Sequence, residues 1–140
     1  MYPEGQEILV VIDDPERRGR VARVLGEEGF AITTAAEGLA ALRAAAEQQF
    51  ALIIAAAWLP GSLDGATTVR QMRSRQPWLK ALYIEDVSIR RDRGNPDTDD
   101  FIAAPFERHE LLGCTFELLQ RGTAEAADLS RRARTQLRAS

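Results

Sequence analysis

Short runs of apolar residues alternate with longer stretches of mixed polarity along this chain. A strand of a parallel sheet that is covered on both faces shows such an unbroken apolar run, often rich in β-branched residues. The pattern predicts five strands, at residues 8–12, near 30–34, at 52–56, at 81–84 and at 101–103. The run of residues 8–12, with the sequence ILVVI, is typical of a central parallel strand.

The stretches between and after these runs predict helices. Asp14 followed by Pro15 is typical of an N-cap with proline at the first helical position, and Gly29 is placed to end that helix. A third helix begins at about Asp64 and ends before Pro77. In the second helix, Leu39, Leu42 and Ala46 share a face. In the third helix, Ala66, Val69 and Met72 are predicted to be buried. In the last helix, the residues predicted to face inward are Leu111, Leu112, Phe116, Leu118 and Leu119.

Residues 86–100 follow the pattern least, because Val87 and Ile89 are their only apolar members. A helix at their start is one interpretation, and Gly94-Asn95-Pro96 predicts a loop. Strands that alternate with helices predict an α/β fold, here a flavodoxin-like (βα)5 doubly wound parallel sheet of order 2-1-3-4-5. We predict one domain at residues 6–120, followed by a basic helical extension at 121–140.

Composition narrows the class of protein. The chain has 140 residues, of which 45% are hydrophobic and 28% charged, as in a globular domain. No secretory signal or run of about 20 apolar residues is visible, and Cys114 is the only cysteine, so we expect a cytoplasmic protein that is not membrane-bound. The net charge of −3 argues against nucleic-acid binding.

The last twenty residues carry five arginines and two acidic residues. Such a tail either contacts an acidic partner or a second copy, or is a solvated helix face. It is too short to contain a DNA-binding domain. The sequence has no Ser-His-Asp or Cys-His set, no glycine-rich phosphate loop and no zinc spacing, and the single His109 has no second histidine near it. We therefore predict that the protein is not an enzyme.

Three motifs give residues 8–119 their resemblance to a known family. They are Val10-Val11-x-Asp13-x-Pro15, then Leu59-Pro60-Gly61 with Asp64-Gly65, and the segment from Phe101 through Pro105 to Phe106. Together they resemble the receiver (CheY-like) domains of bacterial two-component response regulators. The resemblance implies a place in a phosphorelay pathway, and a phosphorylation site at the carboxyl ends of the strands.

That site departs from the family pattern in this chain. The family has two adjacent acids after strand 1, a phosphoaccepting aspartate after strand 3, a hydroxyl after strand 4 and a lysine before the proline. The matching residues are Ile12 and Asp13, Ala56, Glu85 and Ala104, while Asp14 is the next acid and Lys80 lies at the far end of strand 4. A methyl group cannot accept a phosphoryl group, and Glu85 would repel one. We therefore interpret Asp13, Asp14, Ala56, Glu85 and Ala104 as a vestigial phosphorylation site in a pseudo-receiver.

Asp13 is the one candidate metal ligand that remains, and by itself it is a weak site for Mg²⁺, which takes about six oxygens. We expect no bound Mg²⁺ and no other cofactor. Two alternatives stay open. The pocket beside Ala56 could bind a small ligand or a metal, or Ser62, Asp64 or Asp86 could accept phosphate, although Asp64 is explained more simply as a helix cap.

In active receivers, phosphorylation shifts a two-state equilibrium at the face formed by helix 4, strand 5 and helix 5. With the phosphorylation site lost, the resemblance implies a stand-alone signalling module that acts by protein–protein contact. The partner would be a histidine kinase, another regulator, an output protein or a second copy. The residues expected at the partner face are Tyr83, Phe101, Phe106 and Trp58.

Overall fold

The computed structural model describes residues 6–86 and 98–120. The elements are β1 (Glu7–Val11), α1 (Pro15–Glu27), β2 (Ala31–Ala35), α2 (Gly38–Glu47), β3 (Leu52–Ala56), α3 (Gly65–Arg73), β4 (Lys80–Asp86), β5 (Asp99–Ala104) and a last helix, α4, over residues 108–120. Residues 87–97 and 121–140 lie outside the described residues. The first range contains most of the stretch 86–100 for which a helix and a loop were considered, and the second is the predicted extension.

The five strands form one parallel sheet of order β2-β1-β3-β4-β5, which confirms the predicted flavodoxin-like topology. Its register aligns the strand ends: Val11 lies opposite Ala55, Ala56 opposite Ile84, and Glu85 opposite Ala103. Because all strands run the same way, the carboxyl ends of β1, β3, β4 and β5 lie at one edge of the sheet. This edge is where a doubly wound fold binds ligands.

An apolar core covers each face of the sheet. Alternate residues of the strands, such as Ile8 and Ile54, pack with α1 and α4, and their neighbours, such as Leu9 and Ile53, pack with α2 and α3. Burying one such side chain contributes about 1.5–3 kcal/mol. The central strands β1 and β3 read as nearly unbroken apolar runs because both of their faces are buried.

Two carboxylates cap helices as predicted. The Asp14 side chain accepts a hydrogen bond from the Arg17 amide at 2.9 Å, and the Asp64 side chain accepts one from the Thr67 amide at 2.8 Å. Gly29 follows α1 with φ of 97°, a conformation that favours glycine. Each cap contributes about 1 kcal/mol to helix stability.

The predicted buried face of α3 is confirmed for Val69 and Met72 and was wrong for Ala66. Ala66 is exposed, and Thr68 is buried instead, with its hydroxyl donating to the Asp64 carbonyl at 2.7 Å. Because the helix begins at Gly65, the buried stripe runs through Gly65, Thr68, Val69 and Met72. In α4, Leu111, Leu118 and Leu119 are buried as predicted, whereas Leu112 and Phe116 are half-buried at the margin of the core.

Candidate functional site

The loop after β1 presents one carboxylate that is not used by the fold. Ile12 is 1% exposed, and its amide donates to the Ala35 carbonyl at 3.1 Å, so its side chain belongs to the core. Asp13 and Asp14 are both exposed, but Asp14 caps α1. Asp13 is therefore the acid of this loop that can turn to a ligand.

Ala56 ends β3 at the carboxyl edge and is 7% exposed. The chain folds back tightly after it: the Ala57 amide donates to the Ile84 carbonyl at 2.8 Å, and the Gly65 amide donates to the Ala57 carbonyl at 3.2 Å. A Cβ on Gly65 would collide with the Ala56 carbonyl oxygen. Position 65 therefore requires glycine, and the loop can close over the end of β3 for that reason.

The ends of β4 and β5 complete the edge. Glu85 lies at the same edge as Asp13, and because it is 8% exposed its carboxylate is largely buried. Ala104 is half-buried against the core on the side of α1 and α4, and the peptide bond between Ala104 and Pro105 is cis. The edge therefore carries acidic and methyl side chains where β1, β3, β4 and β5 end.

Lys80 lies at the opposite edge of the sheet. It is the first residue of β4, stands opposite Leu52 and is 7% exposed. Five residues separate it from Glu85, which corresponds to about 16 Å along a strand. Its ammonium group cannot reach the carboxyl edge, as expected from the sequence.

Arg18 is a residue at this edge that the sequence reasoning missed. Its Nη1 donates to the Ile12 carbonyl at 2.8 Å and to the Asp13 carbonyl at 3.3 Å. Helical side chains tilt toward the helix N-terminus, so an arginine in the first turn of α1 can reach back to the preceding loop. That direction, together with the Asp14 cap, is the signal that could have identified it.

The residues predicted at a partner face separate into different surroundings. Tyr83 and Phe101 stack with ring centroids 5.0 Å apart, on the α2 and α3 side of the sheet. Burial, followed by the charge of Asp99, raises the pKa of Tyr83 to about 12. Phe106 packs on the α1 and α4 side, and Trp58 is 69% exposed on the loop after β3. Tyr83 and Phe101 are thus the pair that the fold brings together.

Other chemically notable residues do not gather around this edge. His109 is 80% exposed and lies 3.9 Å from the Glu107 carboxylate, and Cys114 is half-buried. Within residues 6–86 and 98–120, no three His, Cys, Asp or Glu side chains group closely enough to hold a metal ion. The same residues include no helix with the length and apolarity to cross a membrane.

A parallel sheet of order 2-1-3-4-5, with a candidate site at its carboxyl edge, defines a doubly wound α/β domain of the flavodoxin-like class. Within that class, residues 8–114 match the response regulator receiver domain. The chain belongs to this family.

Curated relatives extend the comparison beyond the family model. The transcriptional regulatory protein TcrA of Mycobacterium tuberculosis is 31% identical over 134 residues, covering 89% of this chain and 53% of that protein. The transcriptional activator protein PfeR of Pseudomonas aeruginosa is 30% identical over 133 residues, covering 93% of this chain and 43% of that protein. The chain thus spans about half the length of these relatives.

Solved structures agree with the family. NtrX from Brucella abortus superimposes with a TM-score of 0.77 at 28% identity, covering 94% of this chain and 30% of that one. The isolated receiver domain of NtrX from the same organism gives a TM-score of 0.69 at 30% identity, covering 81% of this chain and 98% of that one. The similarity to NtrX is thus to its receiver domain.

Proposed function

We propose that this domain is a pseudo-receiver, which signals by protein–protein contact without accepting a phosphoryl group. The observation that carries the proposal is Ala56 at the end of β3, where the family resemblance places the phosphoacceptor. A methyl group has no lone pair with which to attack phosphorus. The domain would therefore perform no phosphotransfer and have no catalytic activity of its own.

The charge at the carboxyl edge supports this proposal. A phosphoryl group carries about two negative charges and is stabilised by nearby cations. Here the largely buried Glu85 and the exposed Asp13 are both acidic, and Lys80 lies at the other edge. Among the described residues, Arg18 is a cation near this edge, and its Nη1 donates to the Ile12 and Asp13 carbonyls.

The oxygen donors at this edge do not suit the Mg²⁺ ion that the family implies. Ile12 and Ala56 offer no side-chain oxygen, and the Asp14 carboxylate already accepts the Arg17 amide. Asp13 is exposed and Glu85 is largely buried, so at most two carboxylates could contribute, whereas Mg²⁺ takes about six oxygens in near-octahedral geometry. We propose that the domain functions without Mg²⁺.

Replacement acceptors find little support in the structure. The Asp64 carboxylate is held by the Thr67 amide, and its pKa is lowered, first by the backbone hydrogen bond from Thr67. Ser62 is exposed on the loop, and a hydroxyl needs an adjacent base to act as a nucleophile. We therefore propose that neither Asp64 nor Ser62 replaces the acceptor missing at position 56.

The surface proposed to carry the signal is centred on the half-buried ring of Phe101, which stacks on the buried Tyr83. An aromatic pair near a sheet edge can provide the anchor of a protein interface. We propose a partner from a two-component pathway: a histidine kinase, another regulator, an output protein or a second copy. TcrA is a transcriptional regulatory protein and PfeR a transcriptional activator, so we propose a pathway with an output in transcription.

The experiment that tests the pseudo-receiver proposal compares amide NMR spectra with and without Mg²⁺ and beryllofluoride, which mimics an aspartyl phosphate. The wild-type protein should show no saturable shifts near Asp13, Glu85 or Ala104. The matched control is a variant with Ile12→Asp, Ala56→Asp, Glu85→Thr and Ala104→Lys, which restores the family pattern and should respond.

Saturable shifts in the wild-type protein would contradict the proposal, because another group would then fill the acceptor role. A silent response from both proteins would also count against it, since the substitutions would not explain the loss. The partner surface is tested separately, by comparing self-association and histidine-kinase binding of the wild type with those of Phe101→Glu.

A further inference from the structure

A groove runs between α2 and α3, on the helical layer rather than at the strand ends. Its main part encloses about 440 Å³. The residues that line this part, which we call the α2–α3 groove, are Leu39, Leu42, Arg43, Ala45 and Ala46 from α2, Gln71 and Met72 from α3, and Ser74 and Arg75 just after it. It includes none of the residues of the proposed pseudo-receiver site.

Part of the apolar stripe of α2 is exposed at this groove, although Leu42 is half-buried against the core on the α2 and α3 side. Leu39, Leu42 and Ala46 share a face, as the sequence predicted, but Leu39 is 50% exposed and Ala46 is exposed. Ala41, on a different side of α2, is the fully buried residue. The stripe therefore presents Leu39 and Ala46 at the groove surface, whereas Leu42 contacts the core.

A smaller cleft of about 240 Å³ continues the groove past the end of α2. The two share Ala45, Ala46 and Arg75, and the second ends at Trp78. Trp78 is 48% exposed, and its Nε1 donates to the Phe50 carbonyl at 3.1 Å, which fixes the ring. Two of the three large exposed hydrophobic residues in the described part of the chain, Leu39 and Trp78, thus flank one continuous groove.

The groove also contains two arginines that are not committed elsewhere. The side chains of Arg43 and Arg75 make no hydrogen bond or ion pair with the residues that the structure describes. Arg73 and Arg108, in contrast, are paired with acidic side chains. The main part of the groove has no acidic lining residue, although the chain as a whole has a net charge of −3.

We propose that the α2–α3 groove binds an amphipathic helix of a partner protein whose flanks are acidic. The ten residues of α2 extend about 15 Å, enough to seat apolar side chains from successive turns of a bound helix. Arg43 and Arg75 would pair with the acidic flanks. The site also combines a tryptophan with arginines, which are residue types enriched at binding hot spots.

Charge favours this occupant over the chain's own C-terminal segment, residues 121–140. Residues 121–140 carry five arginines and two acidic residues, so the two groove arginines would repel that segment. A second copy of the chain is the remaining alternative, and the experiment below separates it. The inference stands independently of the proposed function, because a working receiver could possess the same groove.

The test uses designed helical peptides as probes and the full chain as the target. One peptide carries leucines at positions i, i+3, i+4 and i+7 with glutamates on its flanks, and its matched control has lysines in place of the glutamates. Amide NMR titration should show saturable shifts at residues 39–46 and 71–78 with the acidic peptide, and at least about tenfold weaker binding of the basic one.

Charge reversal of the protein provides the reciprocal measurement. Arg43→Glu with Arg75→Glu should lower the affinity for the acidic peptide by about tenfold and raise the affinity for the basic peptide. Arg20→Glu with Arg23→Glu makes the same change on the exposed surface of α1 and should leave both affinities unchanged. Leu39→Ala should weaken both peptides, since it removes apolar contact and no charge.

Three outcomes would overturn the proposal. The first is no saturable shift up to about 1 mM peptide, a concentration that half-saturates even a weak site. The second is equal binding of the two peptides, or shifts that map outside the groove. The third is a dimer in sedimentation equilibrium that Arg43→Glu with Arg75→Glu dissociates, which would assign the groove to a second copy.

Discussion

Arg73, the last residue of α3, holds Asp99, the first residue of β5, with Nη2 and Oδ1 2.6 Å apart. The same guanidinium donates to the Leu79 carbonyl from both Nε and Nη2, at 3.0 and 2.9 Å. The Asp99 side chain is only 7% exposed. One arginine therefore ties the end of a helix to the beginnings of two neighbouring strands.

Replacing Arg73 should destabilise the fold, because Asp99 would keep a largely buried charge without this guanidinium. We expect Arg73→Ala to lower the free energy of unfolding by about 2–3 kcal/mol, below the 3–5 typical of a fully buried pair since Arg73 is partly exposed. Urea denaturation measures the change. Arg70→Ala, on the exposed side of the same helix, should cost less than about 0.5 kcal/mol, and an equal loss in both variants would contradict the role of Asp99.

Gly65 and Gly19 form a matched pair for the same substitution. A Cβ at position 65 would collide with the Ala56 carbonyl, whereas nothing lies within 4 Å of a Cβ at position 19, inside α1. We expect Gly65→Ala to destabilise the protein by about 1–3 kcal/mol and Gly19→Ala to stabilise it by about 0.5–1 kcal/mol. Thermal or chemical unfolding of the two variants should give shifts of opposite sign, and the argument fails if both shift the same way.

Asp64 is expected to give an acid-dependent contribution through its cap. Its folded-state pKa lies below the ordinary value of 3.8, mainly because it accepts the Thr67 amide. The stabilisation is therefore present above pH 3.8 and is lost as the pH falls through the lowered pKa. Asp64→Ala should cost about 1 kcal/mol at neutral pH.

The control is Asp64→Asn, which keeps an oxygen to cap the helix but does not titrate. Its unfolding free energy should stay near that of the wild type at neutral pH and should lack this part of the acid dependence. Identical acid dependence in the wild type and Asp64→Asn would refute the assignment.

Tyr83 should make stability sensitive to alkaline pH. Burial raises its pKa from 10.0 to about 12, so the folded state holds a proton that the unfolded state releases between these values. The stabilisation is complete below pH 10.0 and is lost as the pH rises toward about 12. Tyr83→Phe should remove this component. The difference in tyrosinate absorbance between wild type and variant reports the pKa, and a midpoint near 10 would show that the ring is not buried in solution.

Strands could be predicted from sequence where both of their faces are covered, because such a strand appears as an unbroken run of apolar residues. An unbroken apolar run such as residues 8–12 needs no knowledge of its neighbours to be identified. The carboxyl edge followed from that topology, since parallel strands end together. Ala56 and Glu85 could therefore be placed at one edge from the order of the elements alone.

Details of the helices were less predictable, because periodicity identifies an apolar face but not what covers it. Leu39 and Leu42 have the spacing of core residues, yet they line an open groove. Ala66 and Thr68 differ by half a turn, and alanine favours neither side strongly, so the wrong residue was assigned to the core. The contacts of Arg18 depend on the direction of its side chain, which sequence spacing does not encode.

The placement of Lys80 has a practical consequence for finding partners. It is the only lysine among 140 residues and is 7% exposed at the start of β4, so the folded protein presents almost no lysine amine to acylating reagents. Amine-reactive crosslinkers and lysine-directed tags would report few complexes even where complexes form. The chain has 21 carboxylates on Asp and Glu, so reagents that couple to carboxylates are the better choice for capturing the partners of this protein.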